Sequence, residues 1–400
     1  MSDVASTTAT AGTSEGRASN TAHAAEAFLA AETGNIDTLR RLINKGLFDP
    51  STTNDQGCTV LYLLANAGNV QGMKLVLDSG VDIDQDNIAG FSALHVAACT
   101  SNLQTVKLLV ERGAVVDKRS DEGFTPLCYA AEAGSDDVIK YFIKHGADVD
   151  ARSMHGCTPL FHAARCGHIN AASTLIRLGG DPMARAKDGA TPMFEAARGG
   201  HILCLTMLKR AGADPFHQVD YGATAMHIAA FNGHADCVRL FARWGCNPNT
   251  LTEEGCTALH YASYMGHVGC VKLLLSLGCS PWIRSTESAW GRKHGNENRL
   301  ALDYAREQYR CSDLTCVCQS QVADANKKAE SARVIQQAMQ RLPSLADRCR
   351  QLIRATTPLD KLDTLPLPEQ LLSYVKYEAE CETTLTFTVP NCKGPKLQRP

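Results

Sequence analysis

Glycine returns at a fixed interval through most of this chain. Gly57, Gly90, Gly123, Gly156, Gly189, Gly222 and Gly255 are each 33 residues from the next (90 − 57 = 33, and so on). A shared segment follows each one. These segments are "TVLYLLANAGN" (59–69), "SALHVAACTSN" (92–102), "TPLCYAAEAGS" (125–135), "TPLFHAARCGH" (158–168), "TPMFEAARGGH" (191–201), "TAMHIAAFNGH" (224–234) and "TALHYASYMGH" (257–267). A fixed period of this length means stacked units, each burying its apolar face only against its neighbours. Poorer copies flank the run: "AEAFLAAETGN" (25–35) and, after the interruption "TESAWGRKHGNEN" (286–298), "LALDYAREQYR" (300–310). That makes nine units. Terminal units are expected to be atypical, because one of their faces has no neighbour.

Each recurring residue has a physical reason. Thr125, Thr158, Thr191, Thr224 and Thr257 are placed to accept a backbone N–H at a helix start. Pro126, Pro159 and Pro192 fall at the first helical position, where a missing N–H costs nothing. Paired alanines such as Ala163 and Ala164 let neighbouring helices approach. Gly134, Gly167, Gly200, Gly233 and Gly266 suit the left-handed turn that ends the first helix. "VKLLLSLG" (271–278) then gives a second helix, and a polar finger such as "ADVDARSMHG" leads into the next unit. On these motifs the chain resembles the ankyrin-repeat family over roughly 280 residues, by the repeat signature itself. The expected fold class is all-α: an ankyrin-repeat solenoid of about nine units, followed by a small C-terminal helical module.

The organisation read from the sequence is a disordered tail (1–22), the repeat array (23–310), a helical linker (311–343), a helical module (344–378) and a tail (379–400) whose "TTLTFTV" has the composition of a strand. Residues 1–22 lack the bulky apolar side chains that offset ordering entropy. The formal net charge of −2 offers no attraction to nucleic acid or to an anionic membrane. No apolar run reaches membrane-spanning length, and no signal-peptide pattern is present. Seventeen cysteines in a long chain of this kind read as reduced thiols in a cytoplasmic or nuclear protein.

The module opens with "PSLADRCRQLI" (343–353). Ser344 is a good N-cap, with Asp347 three residues on. Leu345, Cys349, Leu352 and Ile353 share one helical stripe. "LPLP" (365–368) must be extended, and a second short helix bears Leu371, Leu372 and Val375. Burial of three aliphatic side chains is worth ~5–9 kcal/mol at most, too little for an independent core. The segment therefore either caps the repeat stack or awaits another protein. "SLADRCRQLI" followed by "LPLP" and "LLSYVKY" resembles a SOCS box, and the whole chain resembles the ankyrin-repeat and SOCS-box family. That resemblance implies a substrate receptor of a ubiquitin ligase. Leu345, Cys349, Leu352 and Ile353 would meet Elongin C, which Elongin B joins. Leu365, Pro366, Leu367 and Pro368 would dock Cullin five with its RING protein. The ankyrin face would hold an unknown protein substrate for ubiquitination and proteasomal degradation.

Two columns suggest where that substrate sits. One, on the first helices, reads Glu132, Arg165, Arg198, Phe231, Tyr264. The other, on the fingers, reads Asp86, Arg119, Arg152, Arg185, Gln218, Leu251. Arg165, Arg198, Tyr221, Phe231 and Tyr264 are the candidate contacts: a basic patch suited to an acidic segment, beside exposed aromatics that anchor an apolar one. The alternative is that the arginines form a solvated face common to such repeats.

"GHILC" (200–204), "GHADC" (233–237) and "GHVGC" (266–270) raise a metal question, but their spacing is that of the repeat. His201, His234 and His267 fall in the inter-helix turn, and Cys204, Cys237 and Cys270 fall at a small buried position. No metal, cofactor or catalytic residue is assigned. Phosphate-loop, zincin and nucleophile-elbow motifs are lacking. The expected role is thus a non-catalytic adaptor. The alternatives are a non-catalytic ankyrin scaffold whose C-terminal helices cap the stack, and an enzyme with unrecognised chemistry in the linker.

Overall fold

The computed structural model describes residues 14–285, 299–306 and 319–341, with side chains over 22–285, 299–305 and 326–339. Every regular element among them is a helix, and they come in pairs. The first four pairs are α1 (Ser14–Thr33) with α2 (Ile36–Asn44), α3 (Val60–Asn66) with α4 (Val70–Leu77), α5 (Ala93–Cys99) with α6 (Leu103–Glu111), and α7 (Pro126–Glu132) with α8 (Asp136–Lys144). The next four are α9 (Pro159–Cys166) with α10 (Ile169–Arg177), α11 (Pro192–Gly199) with α12 (Ile202–Arg210), α13 (Ala225–Phe231) with α14 (Ala235–Arg243), and α15 (Ala258–Met265) with α16 (Val268–Ser276). Last come α17 (Ala301–Arg306) and α18 (Gln319–Arg341). First helices pack on first helices and second on second, so two parallel layers enclose one core. Strand pairing among these residues is limited to isolated bridges such as Gln218 with Thr224.

The caps follow the sequence with one exception. The hydroxyls of Thr158 and Thr191 accept the N–H groups of Phe161 and Phe194. Thr224 and Thr257 form capping boxes with His227 and His260. Thr125 makes no cap bond; its hydroxyl lies 3.6 Å from Cys128 Sγ. Pro126, Pro159 and Pro192 stand at the helix starts, as their missing N–H requires.

The turn glycines meet two demands. Gly200 has φ +77°, and a methyl placed on it would lie 2.6 Å from His234 Nδ1. The next unit's histidine thus seats directly on the glycine, and no side chain fits between. Successive fingers are also tied through the backbone, as where Asp220 N–H donates to the Asp188 carbonyl (3.1 Å) and Glu253 N–H to the Tyr221 carbonyl (3.2 Å).

Both ends depart from expectation. Residues 14–22, expected to be disordered, form the start of α1. Glu15, Arg17 and Ala18 are good helix formers, and extending an existing helix adds one hydrogen bond per residue fixed. Residues 1–13 lie outside the described residues. At the other end, part of the stretch read as a linker completes the ninth unit. Helix α18 packs on α16 and α17, in the position of a second helix. Its Lys328, Ser331, Ala332 and Ile335 are buried. They occupy the same phase as His267, Cys270, Val271 and Leu274 of the eighth unit. Lys328 takes the histidine's place, its Cγ 3.0 Å from where a methyl on Gly266 would be.

Candidate functional site

The floor of the array is built by the exposed positions of the first helices, and the fingers rise beside it. His95, His227 and His260 stand at the junction of the two. Each ring accepts a hydrogen bond at Nδ1 from the backbone N–H of the cap residue, Ser92, Thr224 or Thr257 (3.1 Å in each case). That fixes the proton on Nε2, which His95 donates to the Phe124 carbonyl and His227 to the Thr250 carbonyl, both 3.1 Å away. Burial pushes His227 and His260 down to about 4, and burial together with the nearby Arg165 charge does the same to His162. These rings are neutral struts.

The basic column is neutralised within the chain. Arg165 Nη2 lies 2.8 Å from Glu132 Oε1, and Arg198 Nε lies 2.9 Å from Glu195 Oε1. Glu195 was not singled out in the sequence. Its place three residues before Arg198 on one helix is the signal that finds it. The Glu195 side chain is almost wholly buried, and burial raises its carboxyl despite the arginine. The finger arginines are engaged as well: Arg119 donates to the carbonyl of Arg152, and Arg152 to that of Arg185, both at 2.7 Å. On the first helices the arginine charges are paired with carboxylates, whereas the finger arginines keep their charge and are held by backbone carbonyls.

The aromatic candidates gather further along. Tyr221 is exposed at a finger tip, yet partial burial raises its hydroxyl, Arg198 lowers it, and Asp188 and Glu195 raise it. Burial raises the hydroxyl of Tyr261, which the sequence reading passed over. Phe231 and Tyr261 meet edge to face, with ring centroids 6.0 Å apart. Tyr264 stacks at an angle on Tyr304, and Lys328 Nζ sits 4.8 Å above its ring. Helix α18 therefore covers one of the five candidates, while Tyr261 and Phe231 line the floor before it and Tyr221 stands on a finger.

His201 and His234 each donate Nε2–H to a carbonyl of the preceding turn, Arg165 and Arg198 respectively, at 3.0 Å. Cys204, Cys237 and Cys270 are buried, and burial pushes their thiols up to about 11, 11 and 12. Among the described residues no group of three metal-ligating side chains comes together. No helix of the described residues is long and apolar enough to cross a membrane. Leu345, Cys349, Leu352, Ile353, Leu365, Pro366, Leu367 and Pro368 lie outside the described residues, as does the interruption at 286–298.

A family model described as ankyrin repeats (3 copies) matches the chain in overlapping stretches: residues 27–120, 65–153, 114–186, 151–219 and 193–285. Together they span 27–285, well over half of the 400 residues. No curated protein matches the chain.

Proposed function

The chain belongs to the ankyrin-repeat family, whose arrays hold other proteins, and from that premise we propose that it is the substrate-recognition subunit of an Elongin B/C–Cullin–RING ubiquitin ligase. In this reading the floor and fingers grip a target, and residues 344–378 recruit the ligase. Leu345, Cys349, Leu352 and Ile353 enter Elongin C, which brings Elongin B. Leu365, Pro366, Leu367 and Pro368 engage Cullin five, which brings the RING protein. The chain contributes no reacting group. It raises the local concentration of a target lysine near a charged ubiquitin-conjugating enzyme, and proximity supplies the rate.

The observation that carries the reading is the place of α18. The ninth unit receives its second helix from Gln319–Arg341, ahead of the apolar stripe that begins at Leu345. With the second-helix position of the ninth unit filled by α18, this reading assigns the stripe of 344–378 to an adaptor. This weighs against the scaffold alternative, in which the C-terminal helices are themselves the cap.

Co-expression with Elongin B and Elongin C tests it. A stoichiometric complex should survive gel filtration, and Leu345→Ala with Cys349→Ala should abolish it while leaving the melting of the array unchanged. If the double variant instead melts the array earlier, the scaffold reading holds.

A further inference from the structure

Along the fingers the arginine column ends part-way. The arginine column Arg119, Arg152, Arg185 stops, and Gln218 and Leu251 stand where the next two arginines would be. Beyond Lys187 the finger tips carry Asp188, Asp220 and Glu253, all exposed. The ion pairs of the described residues involve none of these three carboxylates. The two basic residues of the adjoining floor, Arg165 and Arg198, are paired with Glu132 and Glu195. Among the acidic tips lies apolar surface: Tyr221 is 42% exposed and Leu251 47%. Tyr261 and Phe231 continue that surface onto the floor.

We propose that this face docks a basic segment of a partner protein, with lysine or arginine side chains against Asp188, Asp220 and Glu253 and an aromatic or aliphatic anchor on Tyr221, Tyr261 and Leu251. This deepens the reading of the array as the part that holds a target, and rests on it. The chemistry is complementary on both counts. Carboxylates spaced by a finger attract successive cations, and tyrosine faces accept both apolar groups and guanidinium planes. An acidic segment, which the arginine columns suggest in isolation, would here meet unpaired carboxylates at the tips and arginines already neutralised on the floor.

The test is selection of a random dodecapeptide library, displayed on phage, against the immobilised full chain. Enriched peptides should be net positive and carry at least one aromatic or large aliphatic residue. Recovery of those peptides should fall about tenfold on Asp220→Asn with Glu253→Gln, about 1.4 kcal/mol for the two carboxylates together, and should fall again on Tyr221→Ala. All three positions are exposed, so the variants should melt with the parent chain. Enrichment of acidic or uncharged peptides, equal recovery on the variants, or no enrichment above bare support overturns the proposal. Elongin B/C capture by the same preparation is read separately. A chain that captures the adaptor but selects acidic peptides defeats this inference and leaves the ligase reading standing.

Discussion

The eighth and ninth units bury the same stripe with different chemistry. In the eighth, Cys270, Val271 and Leu274 are buried after a half-buried His267; in the ninth, Lys328, Ser331, Ala332 and Ile335 are buried. At the start of the first helix, His260 receives the Thr257 N–H in one, and Asp303 Oδ2 receives the Leu300 N–H at 2.9 Å in the other. What the stack requires is therefore an acceptor at one place and small or aliphatic bulk at three others, not the signature residues. The regular units satisfy this with neutral buried histidines and glycines locked under rings. The last unit satisfies it with a flexible lysine and an aspartate.

Acid separates the two most strongly. His162, His227 and His260 sit at about 4 in the fold because burial disfavours their charge. The unfolded chain, with ordinary histidines near ~6.5, binds more protons below that pH. Stability is thus fully present above about 6.5 and is lost as pH falls toward about 4, by up to about 3 kcal/mol per histidine. Urea titrations at stepped pH should show the fall across this window. His227→Gln, in which a neutral amide replaces the ring, should reduce the fall by one histidine's share.

Truncation of the ninth unit comes next in size. Ile335 is fully buried, and Ile335→Ala should cost about 2–5 kcal/mol. In a stack whose units touch only neighbours the loss should stay local. Hydrogen exchange should speed up in 319–341 and leave 92–250 unchanged.

The glycines sharpen the contrast. Gly200→Ala meets both a left-handed backbone and His234, and should cost more than the ~1–2 kcal/mol of the backbone alone. Gly266→Ala meets the same backbone but a looser fit, 3.0 Å from Lys328 Cγ and 3.1 Å from its backbone N against 2.6 Å from His234 Nδ1 at Gly200, so its cost should be the smaller of the two. Thermal melts of the two variants check the order. The smallest effect is expected of Glu330→Gln, which breaks an exposed 3.2 Å pair with Lys272 and should change stability by less than about 1 kcal/mol.

Most of the fold was legible because period and chemistry agree. A glycine every 33 residues fixes the register, and the caps and alanines say what each position does. The ninth unit's second helix was missed because its register is interrupted. From Thr257 to His267 is ten residues, whereas from Leu300 to Lys328 is 28 (328 − 300). The signal was nonetheless present in Lys328, Ser331, Ala332 and Ile335, which repeat the stripe of the regular units. The floor's charge was misread for another reason. Arg165 and Arg198 were visible, but partner choice depends on side-chain reach, and Glu195 hides its carboxylate beneath the surface. The assignment of 345–353 to Elongin C and of 365–368 to a cullin rests on resemblance alone, because so short a stretch of sequence carries too little pattern to state what covers it.

The central claim is that the array closes at α18 and leaves the following apolar stripe to an adaptor. Hydrogen exchange on the full chain, with and without Elongin B/C, tests this most directly. The account predicts that amides of 328–339 are protected in the free chain, and that amides of 345–353 become protected only when the adaptor is added. Strong protection of 345–353 in the free chain, unchanged by Elongin B/C, would contradict it.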